Sequence, residues 1–315
     1  MQLDYDTAWE SEPWDAWATI TLIVCSTILS LQSFQGADYD FLVPDWRTMP
    51  QASWTFATST LLHAGWLHLA FNVYWTLKFG VLLEAMLGTV LFTLTVIALA
   101  IGSSAAQWAW SGPGIGLSGI GYGLFGLLWA LDRQHPKCRG ILDKKIAELF
   151  AAWFLLCLLL TWYDVMPIAN IAHGMGFVIG ANLGWFLSSS GKTRSLSLVS
   201  LLAVTGLIAG SLLAPVRSVL NRSDAYGHEL FERGYDALGA KDWKLAQGYY
   251  VDLVARDPKI PEAWHNLAIA LRRLGLQQES EEAFERSVEL KDSAKPAERP
   301  ASSDGSMDLL EMPFR

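Results

Sequence analysis

Cysteine and charge are both scarce in this sequence, and each scarcity argues against a class of protein. The three cysteines among 315 residues have no metal-ligand spacing, so neither a disulfide framework nor a zinc ribbon is expected. Only 17% of the residues are charged and the formal net charge is −8, which leaves no basic stripe to neutralise phosphates. We therefore expect no nucleic-acid partner.

The charges that do occur are unevenly distributed along the chain. Nine Lys and Arg residues fall in 1–215 and fourteen in 216–315. The chain as a whole is 52% hydrophobic, with a mean hydropathy of +0.26, which is too apolar for an ordinary soluble domain. The sequence thus predicts a membrane part that gives way to a soluble part near Pro215.

Seven apolar runs in the first part predict membrane-spanning helices, since a span needs about 20 apolar residues and fewer where protein surrounds it. The first run is preceded by acidic residues and by no Lys or Arg, unlike a secretory signal peptide, so we interpret it as an uncleaved span. The runs are 17–34, 61–83, 89–110, 117–131, 146–162, 168–187 and 196–214.

Cations in two connecting loops predict the orientation of these spans. Five of the nine membrane-part cations follow the fourth run and two follow the sixth, and loops rich in Lys and Arg stay in the cytoplasm. The N-terminus is then cytoplasmic, and everything beyond the seventh run is extracytoplasmic. The seven cations are Arg133, Lys137, Arg139, Lys144, Lys145, Lys192 and Arg194.

Beyond Pro215 the pattern changes to charged, amphipathic helices with an internal period. Ala246, Tyr250 and Pro258 recur 34 residues later as Ser280, Phe284 and Asp292. This period and these residue types resemble tetratricopeptide repeats. Such arrays bind proteins or peptides, so the repeat region predicts a protein or peptide partner, with a lid or an oligomerisation module as the alternative.

The predicted fold class is therefore all-α, a polytopic membrane helix bundle followed by a small α-helical repeat domain. We expect an acidic N-terminal tail, a six-helix core, a basic loop with a seventh span, two repeats and a disordered Ser/Pro/Ala-rich tail. Their predicted ranges are 1–16, 17–187, 188–215, 222–291 and 292–315.

Placing a polar side chain inside an apolar span costs free energy, so each such residue is a candidate for a functional role. His68 and Asn72 lie within about 40° of each other on one helix face, whereas His63 is turned away at the outer end. Ser118 starts the short fourth run, and Tyr122 lies within it. His173 lies roughly 7 Å below the outer end of the sixth run.

Ser118 and His173 can form a catalytic pair. A serine hydroxyl is a weak nucleophile until a base takes its proton, and an imidazole can be that base. Glycines on the His173 face would let that helix pack closely against the helix that carries Ser118. His68 and Asn72 could then donate hydrogen bonds to the oxyanion of a tetrahedral intermediate. The glycines are Gly176, Gly180 and Gly184.

Over about residues 46–187 these residues resemble, in order, the three motifs of the rhomboid family of intramembrane serine proteases. The motifs are His63-x4-His68-x3-Asn72, then Gly116-Leu117-Ser118-Gly119 with Tyr122, then Ala169 to His173 with Gly176 and Gly180. The turn Glu84-Ala85-Met86-Leu87-Gly88 also resembles the Glu-containing turn of that family.

The resemblance implies a Ser118–His173 dyad without a third acid, which would cleave transmembrane protein substrates within the lipid bilayer, near its outer face. It also implies that Asn72, His68 and the backbone at Ser118 form an oxyanion hole, with Gly116 and His63 in support. Tyr122 would stack beneath His173. No metal and no cofactor are expected.

Three alternatives stay open at this point. The chain could be a catalytically inactive, rhomboid-like protein that binds client helices, although the presence of both Ser118 and His173 argues against this. It could be a processing enzyme for one C-terminal sorting tail, as rhombosortases are. It could also hold a metal or haem through His63, His68 and His173, which would leave Ser118 and Asn72 without a role.

Overall fold

The computed structural model describes residues 13–135 and 138–294, which form helices and contain no strand. The chain divides into two compact units after Tyr226. The α-helices are α1 Trp17–Phe34, α2 Thr55–Thr58, α3 Trp66–Leu87, α4 Thr89–Trp110, α5 Ser118–Gln134, α6 Lys144–Trp162, α7 Asn170–Ser188, α8 Gly191–Ser211, α9 Ala214–Leu220, α10 Asp224–Gly239, α11 Trp243–Arg256, α12 Pro261–Arg273 and α13 Gln277–Ala294. Short 3₁₀ turns occupy Pro13–Asp15, Asp40–Leu42 and Ser59–Leu61. The all-α prediction is confirmed.

Each of the seven predicted runs corresponds to one long helix of the first unit. Within the described part of the chain, five helices are long and apolar enough to cross a membrane, namely α1, α4, α6, α7 and α8. Helix α5 has 17 residues and is buried along most of its length. Helix α3 has 22 residues but carries Lys78 and Glu84, which lower its hydropathy. The chain is a multi-pass membrane protein.

The start of α3 corrects one expectation. The run 61–83 predicts that His63 lies on the same helix as His68, but α3 begins at Trp66. His63 instead lies in the segment between the 3₁₀ turn Ser59–Leu61 and α3. The N-cap is Gly65, which has no side chain to accept a hydrogen bond from the first turn, so hydropathy alone could not locate this boundary.

Helices α5 and α7 pack backbone to backbone at the centre of the first unit. A Cβ atom added to Gly176 would overlap the carbonyl oxygen of Gly119, and one added to Gly180 would overlap that of Gly123. On the facing helix, a Cβ atom at Gly126 would overlap the carbonyl oxygen of Phe177. This small-residue seam allows side chains at the two helix starts to meet.

Glu84 ties three helices together at the opposite end of α3. Its buried carboxylate accepts hydrogen bonds from the backbone N–H groups of Ala18 and Thr19, at 2.9 and 2.8 Å, at the start of α1. It also accepts from the hydroxyls of Thr19 and Thr89, at 2.8 and 2.9 Å. A negative group is favoured at a helix N-terminus, and the Glu84 carboxylate lies at the N-termini of both α1 and α4.

The second unit contains two pairs of helices joined by short turns, and α11 and α13 begin 34 residues apart, at Trp243 and Gln277. Tyr250 of α11 is fully buried against Gly234, where an added Cβ atom would lie 2.7 Å from the ring. Its hydroxyl accepts a hydrogen bond from Asn266 Nδ2 at 3.0 Å. Burial raises the pKa of the Tyr250 phenol well above its ordinary value. The equivalent Phe284 of α13 is 50% exposed.

The predicted domain limits stay predictions, although three observations bear on them. The structural division falls after Tyr226 rather than near Pro215, because α9 and the residues after it pack on α4. Residues 292–294, predicted to start a disordered tail, are the last turn of α13. Residues 1–12 of the predicted acidic tail and residues 295–315 lie outside the described residues.

Candidate active site

Ser118 is the first residue of α5 and follows a tightly built loop. Gly116 has a φ of 108°, which side-chain-bearing residues rarely adopt, and a Cβ atom there would lie 2.7 Å from the His68 ring. The Gly116 N–H donates to the Ser59 carbonyl oxygen at 3.3 Å, and the Leu117 N–H donates to His63 Nε2 at 3.4 Å. The two residues before Ser118 are therefore held by hydrogen bonds from outside the loop.

His173 is the fourth residue of α7 and lies directly beside Ser118. Its Nε2 atom is 2.8 Å from Ser118 Oγ, and the residue is 5% exposed. Within the described residues its Nδ1 atom has no hydrogen-bond partner, so no carboxylate orients the ring from behind. The glycine seam between α5 and α7 is what allows this close approach.

Tyr122 takes the place of such an orienting group. It lies one turn after Ser118 on α5, and its ring stacks on the His173 imidazole with centroids 4.7 Å apart and planes inclined by 21°. Its hydroxyl donates to the Phe150 carbonyl oxygen at 3.3 Å, which holds the tyrosine ring in place. The imidazole plane is thus set by stacking rather than by a hydrogen bond.

His68 and Asn72 both face Gly116. A Cβ atom at Gly116 would lie 2.8 Å from His68 Nε2 and 3.5 Å from Asn72 Nδ2. Asn72 is 5% exposed, and among the described residues its Nδ2 atom has no hydrogen-bond partner. A buried amide donor without a partner costs free energy unless something else occupies it, which is expected of a binding group.

His63 has a bridging position that the sequence did not reveal. Because its Nε2 atom accepts from the Leu117 N–H, its Nδ1 atom carries the proton and donates to Ser30 Oγ at 3.1 Å. Ser26 Oγ lies 3.4 Å from the same nitrogen. Both serine hydroxyls donate in turn to the Leu61 carbonyl oxygen. His63 thereby connects α1 to the loop before Ser118.

A small cavity beside Ser118 contains polar residues of α4 that sequence reasoning missed. Gln107 Oε1 accepts a hydrogen bond from the backbone N–H of Ala172, the residue before His173, at 3.2 Å. The sequence does contain a sign of this cavity, because Ser103, Ser104 and Gln107 are polar residues within an otherwise apolar span. The cavity is lined by Ser103, Ser104, Gln107, Gly114, Ile115, Gly116, Ser118, Gly119, Ala169 and Ala172.

The contacts of the histidines bear on the metal or haem alternative. Across residues 13–135 and 138–294 there is no group of three or more His, Cys, Asp or Glu side chains that could hold a metal ion. One nitrogen of His63 faces the Leu117 N–H, and one of His173 faces Ser118. These contacts engage nitrogens that the metal or haem alternative would need as ligands.

Comparison with known proteins shows which proteins this helical core is similar to. Residues 50–190 match the family model of the Rhomboid domain. The chain is 30% identical over 182 residues to the rhomboid protease GlpG of Yersinia pestis strain Pestoides F, covering 55% of this chain and 63% of that protein. It is 26% identical over 180 residues to the rhomboid protease GlpG of Klebsiella pneumoniae subsp. pneumoniae, covering 55% and 64%.

These matches support assignment to the rhomboid family, as the three motifs predicted. The aligned region spans less than two thirds of the length of these relatives. The family match ends at residue 190, so it does not extend to α8 or to the helices of the second unit.

Proposed function

We propose that this chain is an intramembrane serine endopeptidase that cleaves transmembrane protein substrates near the outer face of the membrane. The observation that carries the proposal is the 2.8 Å separation between Ser118 Oγ and His173 Nε2 at the meeting point of α5 and α7. The printed names of the GlpG relatives, which are rhomboid proteases, support the same activity.

The chemistry follows from these atoms. Ser118 Oγ attacks the scissile carbonyl carbon while its proton passes to His173 Nε2, whose imidazole then protonates the leaving amine. The remaining acyl-enzyme is hydrolysed by water activated by the same imidazole. Tyr122 keeps the imidazole plane aligned through both proton transfers. The polar cavity next to Ser118 offers a place for the water that hydrolysis consumes.

The oxyanion of the tetrahedral intermediate would lie at the start of α5. The first N–H groups of a helix have no intrahelical partner, and the helix dipole favours negative charge there. The Ser118 backbone N–H and Asn72 Nδ2 are the proposed donors, with His68 beside them and Gly116 leaving room for the substrate carbonyl. His63 is a supporting residue, because it holds the N–H of Leu117 rather than facing Ser118.

A fluorophosphonate probe tests the nucleophile directly, because it labels activated serines. The purified chain should be labelled, and Ser118→Ala should not be labelled. A wild-type chain that folds but takes no label would favour the inactive, client-binding alternative. A labelled chain that leaves transmembrane model substrates intact and cleaves only a protein with a C-terminal sorting tail would favour the rhombosortase-like alternative.

We also propose that the second unit lies on the extracytoplasmic side, where the Ser118 site opens. Seven of the nine membrane-part cations fall within 133–145, from the last turn of α5 to the first turn of α6, or within 192–194, in the first turn of α8. Cations of this kind stay in the cytoplasm, and one further span, α8, then takes the chain to the other side. A reporter that is active only in the cytoplasm, fused after Arg315, should be silent, and the same reporter at the loop after α5 should be active. A signal from the fusion after Arg315 would contradict this topology.

The second unit supports a further proposal, that it captures a substrate or a partner protein. As two tetratricopeptide-like repeats, it presents a groove between α12 and α13 that combines apolar Ile269 and Phe284 with Arg272 and Glu281. Phe284→Ser should lower cleavage of membrane proteins in host cells but leave cleavage of a model transmembrane substrate unchanged. Val251→Ser, also at an exposed apolar residue but outside the groove, is the control. Equal effects on both substrate types would contradict capture.

A further inference from the structure

A buried arginine caps the end of α4 that leads into the loop before Ser118. Arg217 of α9 is 4% exposed, and its guanidinium lies 3.6 Å from the ring centroid of Trp108 and 4.6 Å from that of Tyr226. Its Nε and Nη2 atoms both donate to the Trp108 carbonyl oxygen at 3.4 Å. A buried cation is costly and needs such compensation.

Two further side chains from the same segment bind the same end of α4. Asn221 is fully buried, and its Nδ2 atom donates to the Trp108 carbonyl oxygen at 3.3 Å. The Ser223 hydroxyl donates to the carbonyl oxygen of Ser111. We call Arg217, Asn221 and Ser223 the α4 clamp.

The physical reason for the clamp is the carboxyl end of α4. The last four carbonyl groups of a helix have no intrahelical partner, and the negative end of the helix dipole lies there. The Gln107 carbonyl accepts from the N–H groups of Ser111 and Gly112, which leaves the Trp108 carbonyl to the clamp. A positive guanidinium is the favoured partner at this point.

The clamped helix end leads to both members of the Ser118–His173 pair. The residues immediately after it, 111–117, form the loop that ends at Ser118. Gln107, the neighbour of Trp108, accepts the hydrogen bond from the Ala172 N–H, and so positions the α7 turn that carries His173. A Cβ atom at Gly114 of this loop would lie 3.0 Å from Ala169 and 3.1 Å from Gln107, so the loop has little room to shift.

We propose that the α4 clamp is a positioning device for catalysis, in which Arg217 holds the loop 111–117 so that Ser118 stays in line with His173. This rests on the proposed protease function. The clamp residues lie beyond residue 190, where the Rhomboid domain match ends, and directly before the second unit in sequence. The site thus depends on a segment outside the matched domain.

The test compares Arg217→Met and Arg217→Lys with Arg222→Met, which removes an exposed cation five residues away. Arg217→Met should lower kcat for a transmembrane model substrate, and the labelling rate of Ser118 by a fluorophosphonate, by about tenfold with little change in KM, because small misplacements of reacting groups are costly. Arg217→Lys keeps the charge and should recover part of the rate. Arg222→Met should behave as wild type.

Hydrogen–deuterium exchange of the amides in 111–117 gives a readout that does not need activity. Exchange should rise in Arg217→Met and in the milder Asn221→Ala, in folded protein, and stay at the wild-type level in Arg222→Met. The proposal would be overturned if both clamp variants showed wild-type amide exchange in 111–117 and a wild-type rate of Ser118 labelling. It would also be overturned if the clamp variants had a lower melting temperature but their folded fraction were labelled at the wild-type rate. An unlabelled wild-type chain would instead overturn the protease function, and the exchange data would still decide whether the clamp holds the loop.

Discussion

Ser118→Ala and His173→Ala should each abolish cleavage of a transmembrane model substrate while leaving the protein folded. Nucleophile and base act as one unit, so the loss of either removes nearly the whole rate enhancement. Both side chains meet at 2.8 Å, and neither substitution adds volume to the packed seam between α5 and α7. The measurement is the initial rate of product formation in proteoliposomes, with melting temperature as the test of folding.

Asn72→Ala provides the graded control for this experiment. Loss of one oxyanion donor typically lowers the rate by about 10²–10³ rather than abolishing it, because the remaining donors still act. Asn72 Nδ2 has no partner among the described residues, so its removal should not destabilise the fold. Residual activity of more than a few per cent in a folded Ser118→Ala protein would disprove the assignment of the nucleophile.

Gly180→Val should prevent the membrane unit from folding. A Cβ atom at this position would overlap the backbone carbonyl of Gly123, and a backbone cannot move aside as a flexible side chain can. Overpacking of a well-packed core typically lowers the free energy of unfolding by about 1–3 kcal/mol. An overlap between two helix backbones should cost at least as much as the upper end of that range. The measurement is the yield of monodisperse protein in detergent and its melting temperature.

Gly206→Val is the matched control for that prediction. Gly206 lies in α8, another candidate span, and an added Cβ atom there would meet nothing within 4 Å. This variant should be purified in wild-type yield with a wild-type melting temperature. If Gly180→Val behaved in the same way, α5 and α7 could not pack as closely as described, and the approach of His173 to Ser118 would need another explanation.

The helices and their small-residue seam could be anticipated from local patterns. Each of the seven apolar runs corresponds to a helix, because a span depends on the composition of about 20 consecutive residues. The glycines at i+3, i+7 and i+11 from His173 predicted a close neighbour on that face, and α5 occupies it. The start of α3 was misplaced because Gly65 gives no capping signal, which changed the position expected of His63.

The sequence by itself determined that this chain is all-α, spans a membrane several times and carries motifs that resemble those of the rhomboid family. Hydropathy, glycine spacing and motif order are properties of short segments. The catalytic roles of Ser118 and His173 stay a prediction. Only the tertiary structure decided which segments support them, because such contacts depend on which helices are neighbours and in what register. His63 meets Ser30 of α1, and Arg217 meets Trp108 across 109 residues of sequence. No local pattern encodes those partners.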